Sequence, residues 1–290
     1  VSEKIEKYDF KKGLLHEFEI IDLSELYQNN FEQTTSPHRL EFYQVLWFKK
    51  GTSKHWVDFN ALDIEPNTLL FLNKNSVQRF DKKGYPKGKA ILFTDNFFCK
   101  TKTDTAYLKS SILFNDLFSI PKFKVENESL NLQKTLNLIL AEFEQPKDDY
   151  QADILRNHLK NFLLHSERER KNKDFVEIKK DNKLHLVMQF RELLESNFIQ
   201  HKNVTFYCEE MHITPKKLNS ATTNVLEKPP KSIIIERILL EAKRMLVHTV
   251  KNTKEISFLL GFEEPTNFIK FFRKHLKTTP LSFREQFNKE

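Results

Sequence analysis

The sequence predicts an α+β chain in two domains, an N-terminal β-barrel carrying a helical hairpin and a C-terminal all-α bundle with two helix-turn-helix motifs. Three observations carry that prediction. Short runs rich in β-branched and aromatic residues, punctuated by turn residues, fill the first 125 residues. Two leucine-rich stretches of helical period follow, separated by Glu144-Gln145-Pro146-Lys147-Asp148-Asp149. After residue 184 a helix, a tight turn and a second helix occur twice. The expected boundaries are 1–126 for the barrel, 127–172 for the hairpin, 173–183 for a linker and 184–290 for the bundle.

In the barrel, Phe42-Tyr43-Gln44-Val45-Leu46-Trp47-Phe48 has strand composition, and a glycine turn over residues 49–53 leads into His55-Trp56-Val57-Asp58-Phe59. Residues 68–72, 77–80 and 89–94 supply further strands. Short strands at regular spacing suggest a small barrel or jelly roll. Tyr43, Trp47, Phe48 and Trp56 alternate along strands, so half of them face the interior, either as core or as a ligand wall. His38, Tyr43, Trp47, Trp56 and Gln78 are the candidate pocket residues, a set suited to a neutral organic molecule. A metal centre needs several converging N and O ligands, and His38, Glu41 and His55 are too scattered to promise one. No metal, cofactor or catalytic constellation is expected.

In the hairpin, Leu130, Leu132, Leu136, Ile139, Leu140 and Phe143 mark one amphipathic helix, and Ile154, Leu155, Leu159, Phe162, Leu163 and Leu164 a second. Two readings stand: a dimer seam centred on Leu155, Leu159 and Leu163, or a cover over one face of the barrel. The polar run 167–183 reads as a linker.

The bundle opens its first motif with a short helix over 204–211, a turn at His212-Ile213, and a helix begun by Thr214-Pro215. Helical spacing turns Leu218, Ala221 or Thr222, and Val225 inward and leaves Lys216, Asn219 and Ser220 outward. A connecting helix over 232–250 carries Ile234, Ile235, Ile238, Ala242, Met245 and Leu246 on one side. In the second motif Gly261 supplies the turn and Pro265 the first helical position. Phe268, Phe271 and Phe272 pack inward, while Thr266, Lys270 and Arg273 form a polar, basic outer face suited to a DNA major groove.

These residues carry a resemblance. Glu236 to Leu246, Lys254 to Phe262, Asn267 to Lys274, Thr279-Pro280 and Phe283-Arg284 resemble, in order and spacing, the AraC family of bacterial transcription regulators, over about residues 184–287. The resemblance implies a seven-helix, two-lobed DNA-binding domain. By that match and by helical spacing, Lys216, Asn219, Ser220, Thr266, Asn267 and Lys270 are the expected base contacts, with Lys217, Thr253, Arg273 and Lys274 as phosphate contacts. Residues 37–51 and 87–94 are similar, more loosely, to the cupin-type sensory domain of many relatives, in which Gln78 stands about where a histidine is common. The chain departs from the family pattern at Glu227 and Lys277, where glycine is usual, and at Thr223, where a cation is usual. Glu263 and Glu264 place carboxylates at the start of the second recognition helix, favourable to its dipole but close to phosphates. The first lobe is expected to be the weaker reader.

Composition agrees with this division. The chain carries a formal net charge of +7, and residues 184–290 hold 17 Lys and Arg against 12 Asp and Glu, a net +5. Cys99 and Cys208, the two cysteines, lie far apart and read as reduced core thiols. Neither a signal peptide nor a membrane span is visible, so the cytoplasm is the expected location. The expected function is non-enzymatic: a transcription regulator, activator or repressor, with double-stranded promoter DNA, a second copy of itself and RNA polymerase as partners and a small molecule as effector. A cupin-type enzyme with a DNA-binding tail and an effector-free regulator are the alternatives.

Overall fold

The computed structural model describes residues 6–8, 10, 16–74, 76–115, 119–126, 130–173 and 182–287. Its described residues fall into two compact units, one running up to residue 173 and the other from residue 182. The core of the expected linker, residues 174–181, and the amino-terminal residues 1–5 lie outside the described residues.

The first unit is built on two five-stranded sheets. One has the order β1 (Glu6–Tyr8), β3 (His38–Leu40), β8 (Val77–Phe80), β5 (Ser53–Val57), β6 (Asn60–Ile64); the other is β10 (Lys122–Lys124), β7 (Thr68–Leu72), β4 (Tyr43–Lys50), β9 (Lys87–Phe93), β2 (Phe18–Asp22). All pairings are antiparallel except β1 with β3. From β3 to β9 the chain repeatedly changes sheet, as in a jelly roll. Asp58 adopts φ 54° and turns the chain between β5 and β6, so the strand expected to run through Phe59 stops at Val57. The strand-only reading of the first 125 residues missed four short helices: α1 (Leu23–Asn29), α2 (Phe31–Thr35), α3 (Asp95–Phe98) and α4 (Lys102–Ser110). Their signal is local capping, such as the Thr101–Asp104 box that opens α4.

Strand β4 is buried on both faces from Tyr43 to Phe48. Leu46 and Phe48 join Val57, Ile64, Leu70, Leu72, Phe80 and Leu92 in the core between the sheets. Tyr43, Val45 and Trp47 point the other way, into a second core with Leu69, Phe71, Ile91 and Phe93. That outer core is closed by α5 (Leu130–Phe143) and α6 (Gln151–Lys171), the expected hairpin.

This placement corrects two groups of expectations. Leu155, Leu159 and Leu163 are 2, 0 and 0 % exposed and pack on the sheet, so within this unit they are core rather than a seam. Each such burial is worth about 1.5–3 kcal/mol, which the bare sheet would otherwise forfeit. Tyr43 and Trp47 do not line the barrel interior: Tyr43 stacks on Phe93 at 5.3 Å and Trp47 lies 6.0 Å from Phe162 of α6. Trp56 is half-buried on the opposite face of its strand from His55, beneath the Arg79 guanidinium at 4.1 Å. Helix α6 also runs to Lys171, farther into the polar run than its composition suggests, because the Arg170 guanidinium donates to the Ile112 carbonyl.

Among the described residues the second unit has seven helices: α7 (Asn182–Asn197), α8 (Val204–Glu210), α9 (Pro215–Leu226), α10 (Pro230–His248), α11 (Thr253–Leu259), α12 (Pro265–Leu276) and α13 (Pro280–Phe287). Long α10 presents Ile234, Ile238, Ala242 and Leu246, all buried, and connects the two motifs.

Candidate nucleic-acid interface

Each lobe places one helix on a core with its outer face bare. In the first, the Asn203 side chain caps α8 by accepting from the Phe206 N–H at 3.0 Å, and the Thr214 hydroxyl caps α9 by accepting from the Lys217 N–H at 3.2 Å. Between them His212 takes φ 52°. Leu218, Ala221, Thr222 and Val225 are buried, while Lys216, Lys217, Asn219 and Ser220 are exposed. In the second, Asn252 and Glu255 form a reciprocal capping box at the start of α11. Phe268 and Phe272 are fully buried with Leu239, Leu246, Ile256 and Leu260, and Phe262 and Phe271 pack partly buried beside them. Thr266, Asn267, Ile269, Lys270, Arg273 and Lys274 are exposed, and Thr253 is half-buried at the head of α11.

Gly261 has φ +68°, and a Cβ there would lie 2.2 Å from the Ile199 carbonyl oxygen, so both the turn and the close approach demand glycine. The Lys202 ammonium donates to that same Ile199 carbonyl at 2.6 Å and to the Gly261 carbonyl at 2.7 Å, pinning the second turn to the end of the first lobe's α7 segment. Arg284 donates to the carbonyls of Leu246 and Lys251, fastening α13 to the end of α10. Both recognition helices end in a left-handed residue, Glu227 at φ 56° and Lys277 at φ 58°, each donating its N–H to the carbonyl four residues back. The backbone thus keeps the glycine-type cap although the sequence lacks glycine there.

A cleft of about 530 Å³ opens beside α9, lined by Asn182, Lys183, Leu186, Thr214, Lys216, Lys217 and Ser220. Asn182 and Lys183 are the contribution that sequence reasoning missed, since a charged run at a helix start reads as solvated linker. Ile269 is exposed on α12, outside the expected contact set. Its signal is the offset of 50 residues between α9 and α12, which sets it opposite Asn219.

The remaining candidates, in the barrel, separate into two groups. His38 and Gln78 are buried, paired in register across β3 and β8. Gln44 and His55, absent from the sequence-based set, join them: the Gln78 amide nitrogen donates to the Gln44 oxygen, and His55 Nε2 lies 3.0 Å from the Gln78 oxygen. That oxygen accepts, so the His55 proton sits on Nε2 and Nδ1 is left as a buried acceptor without a partner. Complete burial, with the nearby His38 adding to it and the Gln78 bond opposing it, pushes the His55 pKa down to about 3. Tyr43, Trp47 and Trp56 stand outside this polar group, as described above. Among the described residues, no three His, Cys, Asp or Glu side chains gather as metal ligands.

The family profile described as a helix-turn-helix domain matches residues 207–286. YdiP of Escherichia coli strain K12, an uncharacterized HTH-type transcriptional regulator, is 28 % identical over 111 residues, 37 % of this chain and 33 % of that protein. The chain therefore spans about a third of the length of the curated relative it matches. Among solved structures, ToxT from Vibrio cholerae aligns over 93 % of this chain and 95 % of its own at 13 % identity and a TM-score of 0.42. The C-terminal domain of the response regulator yesN from Fusobacterium nucleatum aligns over 36 % of this chain and 99 % of its own at 22 % identity and a TM-score of 0.32. The second unit carries a helix-turn-helix domain. Its two motifs, α8 with α9 and α11 with α12, are joined by the long helix α10. Among the described residues no helix is long and apolar enough to cross a membrane.

Proposed function

We propose that this chain is a sequence-specific transcription regulator that binds double-stranded promoter DNA with both lobes. One observation carries the reading: two 12-residue helices, each locked by a buried inner face, expose Lys216, Asn219 and Ser220 in one lobe and Thr266, Lys270 and Arg273 in the other. Lysine can donate to guanine O6 and N7, and asparagine can pair bidentately with adenine. Lys216, Asn219, Ser220, Thr266, Asn267 and Lys270 are the proposed base contacts; Lys217, Thr253, Arg273 and Lys274 are the proposed phosphate contacts. The protein would act in the cytoplasm, without catalysis, recruiting or blocking RNA polymerase.

A homodimer fits the outer side of the hairpin, where Leu138, Ile154 and Leu164 are exposed although α5 and α6 already cover the sheet with their inner sides. A neutral small-molecule effector fits the interior group of His38, Gln44, His55 and Gln78, because the unpartnered His55 Nδ1 would accept from a ligand hydroxyl or amide.

Selection of duplexes from a randomised pool by the full chain, followed by sequencing, tests the central reading. A shared sequence motif is expected, and Lys270→Ala should relax it at particular base pairs, each good contact discriminating by about 1–3 kcal/mol. Equal losses on selected and random DNA would remove Lys270 from the base contacts, and an unenriched pool would remove the function itself. For the dimer, light scattering of Leu138→Lys with Leu164→Lys should show half the parent mass.

A further inference from the structure

We infer that Ile269 is a specificity-determining residue that reads the C5-methyl group of thymine in the major groove; the inference rests on the DNA-reading role proposed above. Ile269 is 37 % exposed on α12, the helix whose other apolar residues, Phe268, Phe271, Phe272 and Leu276, all pack into the lobe's core. It follows Thr266 by three residues and precedes Lys270 and Arg273, so it flanks the polar stripe near the N-terminal end of the helix. The fold does not call for it there. A β-branched residue is a poor helix former at an exposed position. The corresponding place in α9 holds the exposed polar residue Asn219.

The chemistry of the groove supplies the occupant. Along the base edges of a major groove the donors and acceptors are polar, and the exposed apolar feature is the thymine methyl. The charges around Ile269 suit a polyanion: Lys270, Arg273 and Lys274 are exposed on the same helix. With Arg273 and Lys274 on phosphates, α12 is held in register and a short branched side chain beside Lys270 reaches a base edge. Asn219 would read a different base in the first lobe, and this difference lets the two lobes recognise unlike half-sites.

Uracil differs from thymine by that one methyl, so the test is direct. Each thymine of the selected duplex is replaced singly by uracil, and the affinity of the full chain is compared with that of Ile269→Ala and Ile269→Val. One or two adjacent replacements should weaken the parent about three- to fivefold, the value of one buried methyl, and should leave Ile269→Ala unaffected. Ile269→Val should keep part of the sensitivity, and random-sequence DNA should bind all three alike, which also reports that the variants are folded. A selected site insensitive to every replacement, or the same sensitivity in Ile269→Ala, would overturn this role while leaving the DNA-binding reading standing. Failure to select any sequence would overturn both.

Discussion

In the first lobe α8 and α9 are 7 and 12 residues long, and in the second α11 and α12 are again 7 and 12. Both pairs open on an asparagine cap, both second helices start on proline, and both close on a left-handed residue. What fills this shared skeleton differs. The inner face of α9 is Leu218, Ala221, Thr222 and Val225, whereas α12 puts Phe268, Phe271 and Phe272 at three of the same places. The last turn of α9 has no cation, while that of α12 has Arg273, Lys274 and His275. One backbone arrangement therefore tolerates two kinds of core and two kinds of surface, provided that its caps and turns are met. The second lobe concentrates both aromatic burial and phosphate-seeking charge.

Four experiments press on that contrast. The largest effect is expected for Phe272→Ala, which should cost about 3–5 kcal/mol by leaving an aromatic-sized cavity; Thr222→Ala at the matching place should cost about 1 kcal/mol, read by urea unfolding of the full chain. Gly261→Ala should cost at least about 2 kcal/mol through its positive φ and the Ile199 carbonyl, whereas His212→Gly in the other turn should stabilise by up to about 1 kcal/mol. Comparable outcomes in the two turns would break the argument that the lobes depend differently on glycine. Third, Arg273→Ala with Lys274→Ala should reduce the slope of log affinity against log salt by about 2, while Thr223→Ala with Asn224→Ala should leave it unchanged. The smallest effect concerns acidity. Burial, with Lys274, Lys277 and Lys231 adding to it, lowers the pKa of His275 below its ordinary value of 6.5. The unfolded chain then takes up this proton first, so stability is present above pH 6.5 and is lost as pH falls through the folded value. Thermal unfolding should show a loss on acidification of which His275→Gln removes a slight part, the larger part belonging to buried His55; Val225, at the matching place, carries no such dependence.

The DNA-facing unit was legible because its signals are local. Proline at the first helical turn, asparagine and threonine caps, and apolar residues at helical spacing set α8, α9, α11 and α12 where they occur. The barrel strands were legible too, but not the faces of its side chains. On β4 both faces are buried, so alternation does not say whether Trp47 or Leu46 looks into the barrel; the packing of α6 decides it. For the same reason Gln44 escaped the pocket set, while His55 drew notice only as a scattered metal-ligand candidate, and Leu155, Leu159 and Leu163 looked like a seam. An apolar helical stripe declares that it will be covered, not by what.

Strand β4 also acts as a lever. Leu46 and Phe48 press on the barrel contents and Trp47, between them, presses on α6, so adjacent residues of one strand touch the two compartments. Tightly packed interiors pass displacement on rather than absorb it. If the proposed effector pushed Phe48 aside, the strand would tilt Trp47 against Phe162, and the hairpin would register the guest without any atom of it reaching the helices.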